Sequence, residues 1–247
     1  MNNNLTLAIV FVLALLIVFT TSGCTLTKTI KNGSILISGE NVSISINGKN
    51  GCEIETINGS GHMIKQSRKL AEFDKIENAG SSTLIVKINS KPSLSVEADD
   101  NILPHVKTDV SNGTLKIWTD TSFSSEHGVT VSIVNPALRG INLSGSGQCT
   151  LENLKENSLA ISISGSGNVT ATGTAQSLDA DIAGSGDIEA TDLAVDDASV
   201  DISGSGSARL CANESLNASI SGSGSVRYRG DPNVTSNIAG SGSVNSM

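Results

Sequence analysis

The tripeptide Gly-Ser-Gly returns at 145–147, 165–167, 184–186, 204–206, 222–224 and 240–242, at intervals of 20, 19, 20, 18 and 18 residues. Self-similarity at such a period marks an array of stacked units. Alignment on the tripeptide brings out further columns. Two residues before its first glycine stand Leu143, Ile163, Ile182, Ile202, Ile220 and Ile238. Two after its second glycine stand Cys149, Val169, Ile188, Ala208, Val226 and Val244. Four before its first glycine stand Ile141, Ile161, Ala180, Val200, Ala218 and Ser236, and Ser, Asn, Thr and Asp fill the positions between. Alternation with period two belongs to a strand with one buried face, since a helix requires 3.6. A repeat of this length is too short for a four-stranded propeller blade and fits one coil of a β-solenoid. The spacing therefore predicts an all-β chain. Its body is a parallel β-helix-like solenoid of 18–20-residue coils over residues 70–247, with short irregular strands or hairpins before it over residues 24–69.

Coils stacked about 4.8 Å apart turn each repeat position into a column along the axis. Every layer then reuses Ile, Val, Leu and Ala, and a large ring in one layer would need matching space in the next. This accounts for a chain of 247 residues with six aromatic side chains, and for 25 glycines without a Gly-X-Y period. In Ile163-Ser164-Gly165-Ser166-Gly167-Asn168-Val169 both glycines keep the phase of the inward residues, which suits a corner or a positive-φ bulge, while the serines point outward. A phosphate cradle needs a helix opening directly after its glycines, whereas here each tripeptide runs into another alternating segment. The calcium-binding nonapeptide pattern Gly-Gly-x-Gly-x-Asp is absent from the sequence. The formal charge of −8 argues against a nucleic-acid surface.

The amino terminus reads as an export signal. Leu5 to Phe19 is apolar apart from Thr6, and Thr20-Thr21-Ser22-Gly23-Cys24 follows. The run has the length of a signal-peptide core rather than of a spanning helix, which needs about 20 residues. Small residues directly before a cysteine resemble a lipobox, in which the cysteine becomes the acylated first residue of the mature chain. Thr21 stands where a lipobox has an apolar residue, and no Lys or Arg precedes the apolar run. The expectation is a lipoprotein-type signal peptide or membrane anchor over residues 1–23, lipid attachment at Cys24, and an extracytoplasmic chain anchored to the membrane at the cell surface. The remaining cysteines, Cys52, Cys149 and Cys211, have no metal-ligand spacing, and no disulfide framework is expected. Asn-x-Ser/Thr acceptors recur after Cys24, as alternation in an Asn- and Ser-rich chain produces by chance.

Before the repeats, Asn32-Gly33, Asn47-Gly48 and Asn58-Gly59 suggest hairpin turns or irregular initial coils. Phe73-Asp74-Lys75-Ile76, then Glu97-Ala98-Asp99-Asp100-Asn101-Ile102-Leu103-Pro104, then Asn112-Gly113-Thr114-Leu115-Lys116-Ile117 lead into the Ile-Ser-Gly-Ser-Gly run. In this order the segments resemble the auto-transporter adhesin head GIN domain family, exported surface proteins of bacteria and archaea, over about residues 70–245. The resemblance implies a right-handed β-helix-like solenoid and a role at the cell surface, without a defined ligand. No long amphipathic strands follow the last repeat, so a translocating barrel is not expected.

Candidate sites are few. His62, His105 and His127 are scattered outside the repeat and share no ligand spacing. From Glu156 to Asp201 there are nine acidic residues and no Lys or Arg. Three residues before the first glycine stand Asn142, Ser162, Asp181, Asp201, Ser219 and Asn237, so Asp181 and Asp201 should be stacked on successive coils. Such a pair raises a pKa or makes a weak cation contact, calcium being the fitting ion, with Asp179 and Asp187 nearby. The plainer reading is a solvated acidic face that keeps the solenoid soluble. Glu189 and Arg209 share another column and should pair, which tests the register. No catalytic residue, resident metal or cofactor is expected. The sequence thus reads as a non-enzymatic surface-binding module whose partners are the membrane and cell-surface polysaccharide or envelope proteins. A structural envelope component and a carbohydrate-active β-helix enzyme are the alternatives.

Overall fold

The computed structural model describes residues 56–69 and 71–247 in full, and residues 34–38 and 43–47 as strand backbone. The expected leader over residues 1–23, Cys24 and Cys52 lie outside the described residues. The chain divides into two compact units, Met1–Ile54 and Glu55–Met247. In the first, β1 (Ser34–Ser38) and β2 (Ser43–Asn47) pair antiparallel with Ser38 opposite Ser43. Asn32-Gly33 and Gly48 lie outside the described residues.

The second unit opens with β3 (Thr56–Asn58) and β4 (Met63–Arg68), followed by β5 (Lys75–Ala79), β6 (Thr83–Ile88) and β7 (Ser93–Asp99). Then come β8 (Val106–Ser111), β9 (Thr114–Thr119), β10 (Ser122–Ser124) and β11 (Thr130–Asn135). The coils follow as β12 (Gly140–Gly145), β13 (Gln148–Gly165), β14 (Asn168–Gly184), β15 (Asp187–Gly204) and β16 (Ser207–Gly222). The last are β17 (Ser225–Arg229), β18 (Asn233–Gly240) and β19 (Ser243–Ser246).

The coils stack in parallel at the register that the tripeptide alignment requires. Ile163 pairs with Ile182, Ile182 with Ile202 and Ile202 with Ile220, all of them buried. Differences in coil length are absorbed away from the glycine corner. The register slips between Leu151 and Leu154, between Thr170 and Thr172, and between Ala190 and Ala194. No residue type recurs at these slips.

The two glycines of each corner have different tasks, the first making the positive-φ corner expected from sequence and the second keeping the inward phase. The first is the bend: Gly165, Gly184 and Gly204 have φ of 127, 129 and 131°. It is half-exposed, and a Cβ on Gly184 would come within 2.4 Å of the Gly165 carbonyl oxygen. The second is buried with ordinary φ, and a Cβ on Gly186 would meet the Gly167 oxygen at 2.5 Å. Those carbonyls accept hydrogen bonds from the coil above: Ser185 N–H donates to Gly165 at 2.8 Å and Asp187 N–H to Gly167 at 3.2 Å.

The solenoid begins one layer earlier than the tripeptide indicates. β12 pairs in parallel with β5, Ile141 against Ile76, and β13 pairs with β6, Cys149 against Leu84. Gly80-Ser81-Ser82 is thus the first corner. Gly80 keeps the bend, with φ 131°, yet a Cβ there would meet nothing within 4 Å. Ser82 stands where later coils have the second glycine. With no earlier corner beneath it, the contact that enforces glycine is absent.

Two branches close this first layer. On one side β9 pairs in parallel with β5, and β8 pairs antiparallel with β9. Their turn is Asn112-Gly113, with φ of 51 and 73°, a two-residue hairpin loop with both residues left-handed. On the other side β6, β11, β7 and β4 follow one another, the β6–β11 pair parallel and the rest antiparallel. Asn58-Gly59 closes no hairpin, because β3 pairs with β10 and β4 with β7. In the last coil Val234 and Ile238 belong to core columns and are each 40% exposed.

Candidate functional site

The outer face of the solenoid is built by the same register as the core. Asn142, Ser162, Asp181, Asp201, Ser219 and Asn237 form one continuous outward column across successive coils. Asp181 and Asp201 are directly paired, and Asp179 lies on the same strand as Asp181. Partial burial first, then the charges of Asp179 and Asp201, push the Asp181 carboxyl above its ordinary range. Among the described residues no group of three or more His, Cys, Asp or Glu side chains is arranged to hold a metal ion.

Other acids on this face are engaged by the next coil. Ser207 Oγ donates to Asp187 and Ser215 Oγ donates to Asp197. Arg209 Nη1 reaches Glu189 Oε2 at 3.3 Å, as the column alignment requires. Burial raises the Glu189 pKa, but hydrogen bonds from Thr191 and Arg209 outweigh it and hold this carboxyl below its usual range. The pair is exposed, so its contribution to stability is about 1 kcal/mol at most. Cys149 is buried in its core column, where desolvation drives its thiol pKa upward. Cys211 is likewise a free thiol.

The raised Asp181 pKa carries a signed prediction. A carboxyl whose folded pKa exceeds its unfolded pKa binds its proton more readily in the folded state. Its ionisation therefore opposes folding at neutral pH, and the penalty fades as pH falls through the raised value. Asp181→Asn is expected to stabilise the chain at pH 7 by about 0.5 kcal/mol after allowance for solvent screening. Melting curves taken from pH 7 down to pH 3 should show that gain vanish, and a gain that persists in acid would assign it to another cause.

The signature segment Glu97 to Pro104 has a structural task. Asp99 is buried and accepts hydrogen bonds from Gly61 N–H at 2.7 Å and Ser125 Oγ at 2.5 Å. Asn101 accepts from Ser60 N–H at 3.0 Å and donates to the Asn58 carbonyl at 2.8 Å. These residues latch the segments around 58–61 and 125 onto the capping sheet. The histidines are dispersed: His105 Nδ1 lies 2.8 Å from Asp120, and His62 lies 3.7 Å from Asp100.

Reasoning from sequence missed a concave patch where the β8–β9 branch meets the first coils. Trp118, Lys116 and Ile117 of β9, Glu77, Asn78 and Ala79 of β5, and Asn142 and Ser144 of β12 line a shallow depression. Trp118 is the single tryptophan of the chain and is 37% exposed. Lys116 Nζ lies 3.3 Å from Glu77 Oε2 across the parallel β5–β9 pair. Beneath them Asn78 is buried, and its Oδ1 accepts from Ser82 Oγ at 2.6 Å while its Nδ2 has no partner.

The second unit is thus a stacked parallel β-solenoid with a polar outer face, capped at its first layer by mixed strands. The chain belongs to the family described as putative auto-transporter adhesin, head GIN domain, whose model matches residues 72–232. No curated protein matches it. Among solved structures it is similar to a putative adhesin from Bacteroides fragilis, with 26% identity and a TM-score of 0.64, covering 77% of this chain and 100% of that one. It is also similar to a putative lipid binding protein from Parabacteroides distasonis, with 26% identity and a TM-score of 0.49, covering 78% of this chain and 100% of that one. A putative adhesin from Parabacteroides merdae matches with 20% identity and a TM-score of 0.49, covering 78% of this chain and 99% of that one.

Proposed function

We propose that this chain is an exported, non-catalytic adhesin. It is held at the membrane through a lipid on Cys24 or through its apolar leader, and it meets polysaccharide or envelope proteins with its outward ladders. The observation that carries the reading is the unbroken polar column from Asn142 to Asn237, which presents a similar side chain at the same place on each coil. Regular spacing lets many weak contacts act together, and linked weak contacts give an avidity far above that of one contact. Family membership and the adhesin from Bacteroides fragilis support binding rather than catalysis.

Cells displaying the full chain are expected to adhere to polysaccharide-coated surfaces with a steep dependence on display density. Adhesion equal to that of cells lacking the chain, at every density, would reject the reading. Labelled palmitate should enter the wild-type chain and fail to enter Cys24→Ser, which tests the anchor separately.

A further inference from the structure

The depression around Trp118 has the chemistry of a sugar subsite. Strand alternation buries Leu115 and Ile117 and turns Lys116 and Trp118 outward. Ala79 of β5 and Ser144, its partner on β12, line the depression together with Trp118. Ala79 and Ser144 are small side chains and keep that part of the depression low. Nearby cations are already engaged. Lys107, opposite Trp118 on β8, places its ammonium 3.1 Å from Asp120 and 2.7 Å from the Pro104 carbonyl, and Lys116 is held by Glu77. Trp118 itself is 37% exposed at the edge of the depression, so part of its indole is open to a ligand.

We infer that this depression binds one neutral hexopyranose unit of a surface polysaccharide, the ring's C–H face lying on Trp118 and its hydroxyls meeting Glu77, Lys116, Asn142 and Ser144. The negative π-face of an indole attracts the weakly positive C–H edge of a pyranose, and its flat apolar area is covered by the same contact. The Glu77–Lys116 pair supplies an acceptor beside a donor, which neighbouring hydroxyls satisfy together. Because the pair neutralises itself and the chain carries a formal charge of −8, the site favours a neutral sugar over an anionic one. The inference rests on the adhesin reading and gives it a ligand class and a place.

The chain has one tryptophan, so its indole emission reports this site alone. The full chain, in a detergent without a sugar headgroup, is titrated with cellohexaose, maltohexaose and laminarihexaose, and with tetramethylammonium as a competing cationic probe. A saturating emission change with at least one oligosaccharide is expected, weakened about tenfold in Asn142→Ala, which keeps the reporter. Calorimetry should show the same binding lost in Trp118→Ala at unchanged circular dichroism. No emission change with any oligosaccharide, equal binding by Trp118→Ala, or a response to tetramethylammonium alone would overturn the assignment. Adhesion assays run in parallel separate the two readings. Adhesion that survives in Trp118→Ala leaves the adhesin standing without this site, whereas an emission response without adhesion leaves the site without the adhesin.

Discussion

Replacing Gly184 with alanine is expected to cost about 4 kcal/mol and to loosen the coils on both sides of the substitution together. Two penalties combine there. The backbone has φ of 129°, a region that a side chain makes unfavourable, and the new Cβ would lie 2.4 Å from the Gly165 oxygen. That oxygen already accepts the Ser185 N–H, so the chain cannot move away without losing a rung. Gly80→Ala serves as the internal control, because φ is 131° but no atom lies within 4 Å of the added carbon. Its cost should be the conformational part alone, about 1–2 kcal/mol. The difference between the two, read from chemical denaturation, measures the contact between corners. Equal costs would show that conformation alone selects glycine.

Ile182→Ala should destabilise by about 2–4 kcal/mol through lost transfer energy and a residual cavity. Ile182 is only 2% exposed, lies between Ile163 and Ile202, and its Cγ2 sits 2.6 Å from where a Cβ on Gly206 would be. Parallel stacks transmit such a loss to nearest neighbours first. Hydrogen exchange should accelerate in β13, β14 and β15 and leave the β8–β9 hairpin unchanged. Filling the gap with Gly206→Ala is not expected to restore stability, because the Gly186 oxygen would still lie 2.6 Å from the added carbon. Uniform acceleration across the chain would instead mean that the solenoid unfolds as one cooperative block.

What the sequence reveals follows from what repeats. The columns through Ile163 and Val169, the Asp181–Asp201 adjacency and the Glu189–Arg209 pair all follow from counting, because a parallel stack converts sequence offset into spatial contact. The register slips stayed hidden because no residue type recurs where they fall. The first coil lies within the span of 70–247 expected for the solenoid, but its corner escaped the tripeptide alignment for a different reason. Gly80-Ser81-Ser82 retains only the constraint of backbone angle, so the tripeptide used for alignment had already decayed there. The capping strands alternate between parallel and antiparallel partners from distant segments, which periodicity does not encode. Trp118 belongs to that group. It shares its depression with Ala79, a residue some forty positions earlier that the pairing of β5 with β9 brings near.

The corner contact runs in one direction, each glycine pair resting on the pair before it and asking nothing particular of what comes after. A segment cut from one tripeptide to the next begins and ends on equivalent backbone, as Gly184 to Gly204 does. Whole coils can therefore be gained or lost by in-frame duplication or deletion, while the capping sheet around Trp118 stays as it is. Heredity can adjust the reach of such a molecule by copy number, leaving its chemistry near the cap untouched.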